Sequence, residues 1–272
     1  MALGLFGVMT EIGMKVRPRY RLVKQYFVHS VEETFRQLEG MAQANQYFEF
    51  FWFPHNEFMV CRSLNETAVR APEPRSPAAM RVRGERPNMK SFAITTLNEM
   101  LRVSPWMVKP AQRVLSVLRR SFGRVRWSNE TFPSPRVVRF NEMEYAVPYE
   151  CGPDVVREIA DVIRKKKIIT GFPIIYRLAE ADDIWLSPFY GRKSAVISLP
   201  HYYRHDAQEL FDTCEAIFRR YGGRPHWGKV HSMTAREAEE LYPRYDDFRR
   251  LRAKLDPAGK FLNEYLKTLI PA

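Results

Sequence analysis

The chain has 272 residues, 45% of them hydrophobic and 13% aromatic, which excludes a disordered chain and allows a sizeable core. A formal charge of +12 suits nucleic acid, an anionic membrane surface or an anionic ligand, and does not choose among them. Cys61, Cys151 and Cys214 are far apart, odd in number and without Cys/His metal spacing, which argues against a disulfide scaffold or a metal site and for a reducing compartment.

In chain order, Met1 to Met9 is apolar but lacks a basic region and is closed by Glu11, so it is a poor signal peptide. The run Gly4 to Glu11 reads like the middle of a packed domain rather than a polar terminus. Tyr20 to Val28 alternates and is rich in aromatic and branched residues, which predicts a strand. Ser30 with Glu33 forms a capping-box pattern, and the helix it opens runs to about Ala44. Tyr47 to Phe53 and Glu57 to Arg62, separated by Pro54-His55-Asn56, predict a hairpin. Ala71 to Pro87 mixes prolines and arginines and reads as an exposed loop or linker. Ser91 to Phe122 reads as helical with breaks at Pro105 and Pro110. Its basic end, Arg113 to Phe122, is taken to pack its leucines inward, with a membrane-surface helix as the other option.

Arg136 to Val147 predicts a strand, and Asp154 to Lys167 a helix with Val155, Ile159, Val162 and Ile163 on one face. Ile168 to Leu178 and Ser194 to Tyr203 predict strands. Asp206 with Glu209 and Thr234 with Glu237 repeat the capping pattern, and Asp256 to Gly259 reads as a turn. Strands and helices come in mixed groups without strict βαβ alternation. This predicts an α+β fold, a largely antiparallel sheet covered by helices. No run reaches the ~18 apolar residues of a spanning helix, and no P-loop or complete G-x-G-x-x-G is present.

The densest chemical cluster is Arg224 to His231, which holds two histidines, an indole, a lysine and an arginine around Pro225 and Gly228. Such donors at a bend suit an anionic or electron-rich ligand. A loop whose indole plugs the core and whose charges face water fits the same residues.

Five segments, in order, carry a family resemblance. They are Tyr47-Phe48-Glu49-Phe50-Phe51-Trp52-Phe53-Pro54, Glu142-Met143-Glu144-Tyr145-Ala146-Val147-Pro148, and Asp182 to Pro188 with Tyr190-Gly191-Arg192. His226-Trp227-Gly228-Lys229 and Leu255 to Asn263 complete the set. Together they resemble the C-terminal, substrate (cap) part of the D-arabinono-1,4-lactone oxidase, L-gulonolactone oxidase and alditol oxidase group. That group lies within the vanillyl-alcohol-oxidase-like flavoproteins.

The resemblance implies residues 1–18 as the end of an FAD-binding domain and 19–272 as a substrate domain whose tail returns toward the flavin. Residues 64–135 are an Arg/Pro-rich insertion and the least secure part. It also implies FAD as cofactor, a sugar lactone or polyol as substrate, and a separately encoded or upstream FAD-binding domain as partner. Lys229 matches the family's active-site lysine and Arg177 a strand arginine facing the flavin and substrate. Gly7, Val8, His226 and Trp227 fall on the cofactor side, and Ser198 and His201 on the substrate side. Asp182 and Asp183 begin a turn in the family pattern, and Asn263 and Tyr265 are packing or interface residues.

One departure matters. The family motif F-P-x-E-x-R here reads Phe172-Pro173-Ile174-Ile175-Tyr176-Arg177. Ile175 takes the place of a glutamate that would accept a substrate hydroxyl. Strand alternation keeps residues 175 and 177 on one face. Glu180, Ser198 and His201 are the candidate substitutes. The expected protein is the substrate-binding part of an FAD-dependent oxidoreductase, incomplete as a single chain. A non-catalytic binding or assembly module of the same fold is the alternative. No nucleic acid is expected, since the basic residues are dispersed outside 70–126. The expected location is the cytoplasm, with peripheral membrane contact as the other option.

Overall fold

Eight strands form one antiparallel sheet in the order β4-β1-β3-β2-β6-β7-β5-β8. The strands are β1 (Arg21–Ser30), β2 (Tyr47–Trp52), β3 (Phe58–Glu66), β4 (Ser121–Trp127), β5 (Phe140–Pro148), β6 (Ile174–Ala179), β7 (Ser194–Tyr202) and β8 (Arg224–Pro225). The helices bounded within the described residues include α1 (Val31–Ala44), α2 (Ser128–Thr131), α3 (Gly152–Lys166), α4 (Gln208–Arg220), α5 (Ala235–Leu241), α6 (Tyr245–Leu255) and α7 (Glu264–Leu269). This computed structural model describes residues 1–73, 95–100, 103–107, 109–110, 114, 121–132, 138–168 and 170–271. Most of the Ala71 to Pro87 linker and of the Arg113 to Phe122 helix falls outside them.

Period-two alternation gives the sheet two unlike faces. One row runs Cys61, Phe50, Tyr176, Ile197, Tyr145 across five strands. These side chains are buried with Val155, Ile159 and Ile163 of α3 and Leu210, Cys214 and Phe218 of α4. The rings of Phe50 and Tyr176 stack at 4.5 Å, and those of Tyr145 and Phe218 at 4.6 Å. Helix α3 lies so close that a Cβ on Gly152 would meet the Tyr176 hydroxyl and stand 2.5 Å from Ala195 Cβ.

A second core joins the ends of the chain. Leu5, Leu186, Trp227, Tyr242, Tyr245, Phe248, Leu269 and Ile270 are buried together. Two arginines stitch this lobe to the sheet through carbonyls. Arg192 Nη2 donates to Ala146 O and Gly222 O, both at 2.9 Å, and Arg224 donates to Leu241 O at 2.8 Å and Tyr190 O at 2.7 Å. Burial lowers both guanidinium pKa values, that of Arg192 to about 10.

Several boundaries differ from expectation. Thr234 and Glu237 form both halves of a capping box. Ser30 accepts Glu33 N–H, but the Glu33 carboxylate turns to Arg36 and Gln37 instead. Asp206 caps no helix. Its Oδ1 accepts Gln208 N–H, and α4 begins after Ala207. The strand predicted from Ile168 starts only at Ile174. Lys167 takes a left-handed φ of 57° and Ile168 N–H returns to Ile163 O, so both complete the end of α3. Ser121–Trp127 is a strand that the sequence did not suggest, extending the sheet beside β1.

Candidate functional site

The face of the sheet opposite α3 and α4 carries charge. Register places Arg62, Glu49 and Arg177 in one row, and Phe51, Ile175, Ser198 and Glu144 in the next. Arg62 pairs with Glu49, and its guanidinium stands 5.6 Å from the Phe51 ring centroid. Arg177 Nη2 donates to Glu144 Oε2 and to Ser198 Oγ, both at 2.9 Å. Ser198 Oγ donates to the same Glu144 oxygen at 2.5 Å. Arg177 Nε is buried and makes no hydrogen bond among the described residues.

Lys229 reaches this face from the bend after β8. His226 N–H donates to Glu144 O at 2.9 Å, and Val230 N–H to Glu142 O at 2.9 Å, so backbone pairing to the β5 edge fixes the bend. Its Nζ then pairs with the carboxylate of Glu142. Glu142 and Glu144 sit two apart on β5 and share a face. The two cations are therefore held by neighbouring carboxylates of a single strand. Ion pairs fixed this way on a rigid strand aim a guanidinium fork and an ammonium without relying on loop order.

The other candidates divide. Ile175 lies between Phe51 and Ser198 on the charged face, as strand alternation predicts. Exposed His226 borders a hollow of about 10 Å³ with Glu144, Ala146, Val196, Pro188 and Phe189, room for about one water. Its Nδ1 accepts Gly228 N–H at 3.0 Å. Trp227 belongs to the second core. Its Nε1 donates to Leu186 O at 2.8 Å and its ring lies 5.4 Å from that of Tyr242. The indole is thus a core plug and not a ligand-facing group.

His201 is three residues from Ser198, an odd offset, and points to the helix-covered face. It is 1% exposed and its ring lies 6.4 Å from Phe211 of α4. Burial and His205 push its pKa down to about 4. It therefore does not reach Arg177. Glu180 is exposed and pairs with Lys193. Gly7 and Val8 stand at the surface of the second lobe, where Leu5 is buried and Phe6 meets Phe248 at 4.7 Å. They make no hydrogen bond or ring contact with Arg177 or Lys229 among the described residues. The larger hollow, about 270 Å³, is lined by Phe6, Ile184, Trp185, Phe248 and Leu251. None of the candidate site residues lines it.

Asp182 is structural, since its carboxylate accepts Ile184 N–H at 3.1 Å and Ser187 Oγ–H at 2.6 Å. Asn263 caps α7 through Leu266 N–H, and the Tyr265 hydroxyl meets His231 Nε2 at 2.7 Å. Sequence reasoning missed Glu142 and Glu144 as site residues. The available signal was two carboxylates at i and i+2 of one strand. Among the described residues no His/Cys/Asp/Glu group could hold a metal, and no helix is long and apolar enough to cross a membrane.

This α+β arrangement is the fold of a known class of oxidases. Cholesterol oxidase from Brevibacterium sterolicum superposes with a TM-score of 0.70 at 14% identity, over 93% of this chain and 60% of that one. A VAO-type flavoprotein from Myceliophthora thermophila superposes at 0.53 and 12% identity, over 89% and 46%. A family model described as D-arabinono-1,4-lactone oxidase matches residues 12–269, and the chain belongs to that family. An L-gulono-1,4-lactone dehydrogenase of Mycobacterium tuberculosis is 31% identical over 99% of this chain and 62% of its own length. The L-gulonolactone oxidase of Mus musculus is 27% identical over 97% and 60%. The chain thus spans about 60% of the length of these curated relatives.

Proposed function

We propose that this chain is the substrate-side part of an FAD-dependent oxidoreductase acting on a CH–OH group of a sugar lactone or polyol. It works with a flavin-binding domain packed on its charged sheet face. The observation that carries the reading is the pair of fixed cations, Arg177 and Lys229, on the one broad sheet face that α3 and α4 leave uncovered. The donor set fits a flavin. The Arg177 side chain is 40% exposed with an Nε that has no partner among the described residues, and a partly exposed ammonium stands on the adjoining carboxylate. Both suit an electron-rich ring that gains negative charge.

A bound flavin supplies the hydride acceptor, and the chain supplies placement and electrostatics. Arg177 holds a substrate oxygen, Ser198 steadies Arg177 and Glu144 from beneath, Lys229 stabilises developing negative charge, and the packed sheet excludes water from below. By itself the chain is expected to remain colourless, since in this reading the partner domain holds the flavin. Ile175, apolar where a carboxylate acceptor is expected, favours a second reading, a non-catalytic binding module of the same fold.

One experiment separates them. The purified chain is mixed with a flavin-loaded FAD-binding domain and then, without oxygen, with L-gulono-1,4-lactone, D-arabinono-1,4-lactone or xylitol. Loss of oxidised-flavin absorbance only when both proteins are present supports the oxidoreductase. A stable complex whose flavin never bleaches with any of them supports the binding module.

A further inference from the structure

The Glu144 carboxylate is mostly buried, with 12% of its side chain exposed, and its two oxygens are used unequally. Oε2 accepts from both Arg177 Nη2 and Ser198 Oγ. Oε1 accepts no hydrogen bond among the described residues, and Glu144 is one of the residues that line the hollow edged by His226 and Val196. Ile175 pairs in register with Ser198, and Ser198 with Glu144, so the acid lies across one strand from the isoleucine. Phe51 is the neighbour of Ile175 on its other side.

We propose that Glu144 Oε1 is the hydroxyl acceptor of this site, and that Phe51 and Ile175 form an apolar wall beside it. The ligand is then a neutral hydroxylated compound with a hydroxyl on Glu144 and a C–H edge on Ile175. Arg177 and Ser198 fix the carboxylate through Oε2, since both donate to it. A carboxylate whose Oε2 already takes two donors has one oxygen left with which to bind, which gives orientation as well as affinity. Glu180 faces solvent and His201 faces α4, so neither substitutes for the carboxylate absent at residue 175.

This inference rests on the functional reading above, and the test separates the two. The full chain, labelled with carboxyl-13C glutamate, is titrated with D-arabinono-1,4-lactone by NMR and by calorimetry, beside Glu144→Gln and the exposed control Glu180→Gln. Lactone binding that moves the Glu144 carboxyl resonance, weakens about tenfold or more in Glu144→Gln and is unchanged in Glu180→Gln supports the assignment. If Glu144→Gln does not fold, Glu144→Asp withdraws the oxygen by one methylene and replaces it. Lactone binding that both Glu144 variants retain, with the resonance unmoved, overturns Glu144 and leaves the functional reading standing. A wild-type chain that binds no lactone overturns the Glu144 assignment, and the flavin-bleaching experiment above then decides the functional reading by itself.

Discussion

Arg177, Ser198 and Glu144 come from three adjacent strands, and each is fixed by the other two. Arg177 and Lys229 were named from the sequence through the family motifs that contain them, F-P-x-E-x-R and H-W-G-K. Glu144 was hidden, since an acid in a strand reads as a solvated position until the partner strands are known. His201 was misplaced for want of parity, because an offset of three from Ser198 crosses the sheet. The thiols show the same dependence on face. Cys61 and Cys214 are buried among apolar groups and their pKa values are pushed up to about 12, whereas Cys151 is partly exposed. A thiol reagent at neutral pH is expected to label Cys151 alone in the native chain and all three cysteines in denaturant, counted by intact mass. Fast native labelling at Cys61 or Cys214 would contradict the packing.

At the scale of elements, three capping patterns were legible, at Ser30, Asp206 and Thr234, but only the last closes on both sides. Local pattern marks a helix start, and competing partners decide which bonds form. Thr234→Ala is expected to cost about 1 kcal/mol, read from urea unfolding. Asp206→Ala is expected to cost less, because its carboxylate serves a turn and not a helix N-terminus. The α3 contact gives a sharper test. Gly152→Ala places a methyl against Tyr176 and Ala195, and is expected to destabilise by ~1–3 kcal/mol. A neutral result would mean that α3 stands further from the sheet. The sheet order itself was not legible, since β1 reaches β3 past β2 and β6 reaches β2 across more than a hundred residues of intervening chain.

Across the whole molecule, two cores meet along β5 and β8, and buried titratable groups tie them together. Glu215 is buried, which by itself raises its pKa. The Ser232 hydroxyl and N–H, the Tyr145 hydroxyl and Arg219 outweigh that and hold it below the usual carboxylate value. Its stabilising contribution is present above the unfolded value and is lost as pH falls through the folded one. His201, neutral and buried with a pKa near 4, also favours unfolding as pH falls from about 6.5 toward 4. Glu215→Gln is expected to lower stability at neutral pH and flatten its loss in acid. His201→Phe is expected to move the acid midpoint down. Thermal melts across pH check both, and an unchanged acid limb in either variant would contradict the assignment.

The central claim is that Arg177 and Lys229 act together at one reacting centre on the open sheet face. It is tested most directly by kcat/KM for lactone oxidation in the chain combined with a flavin-binding domain, measured for Arg177→Lys, Lys229→Met and the double variant. The account predicts a loss of about 100-fold or more for each and a double variant well short of the product, because the two cations serve one transition state. Single variants within a few-fold of the parent, in a complex that still bleaches its flavin, would contradict it.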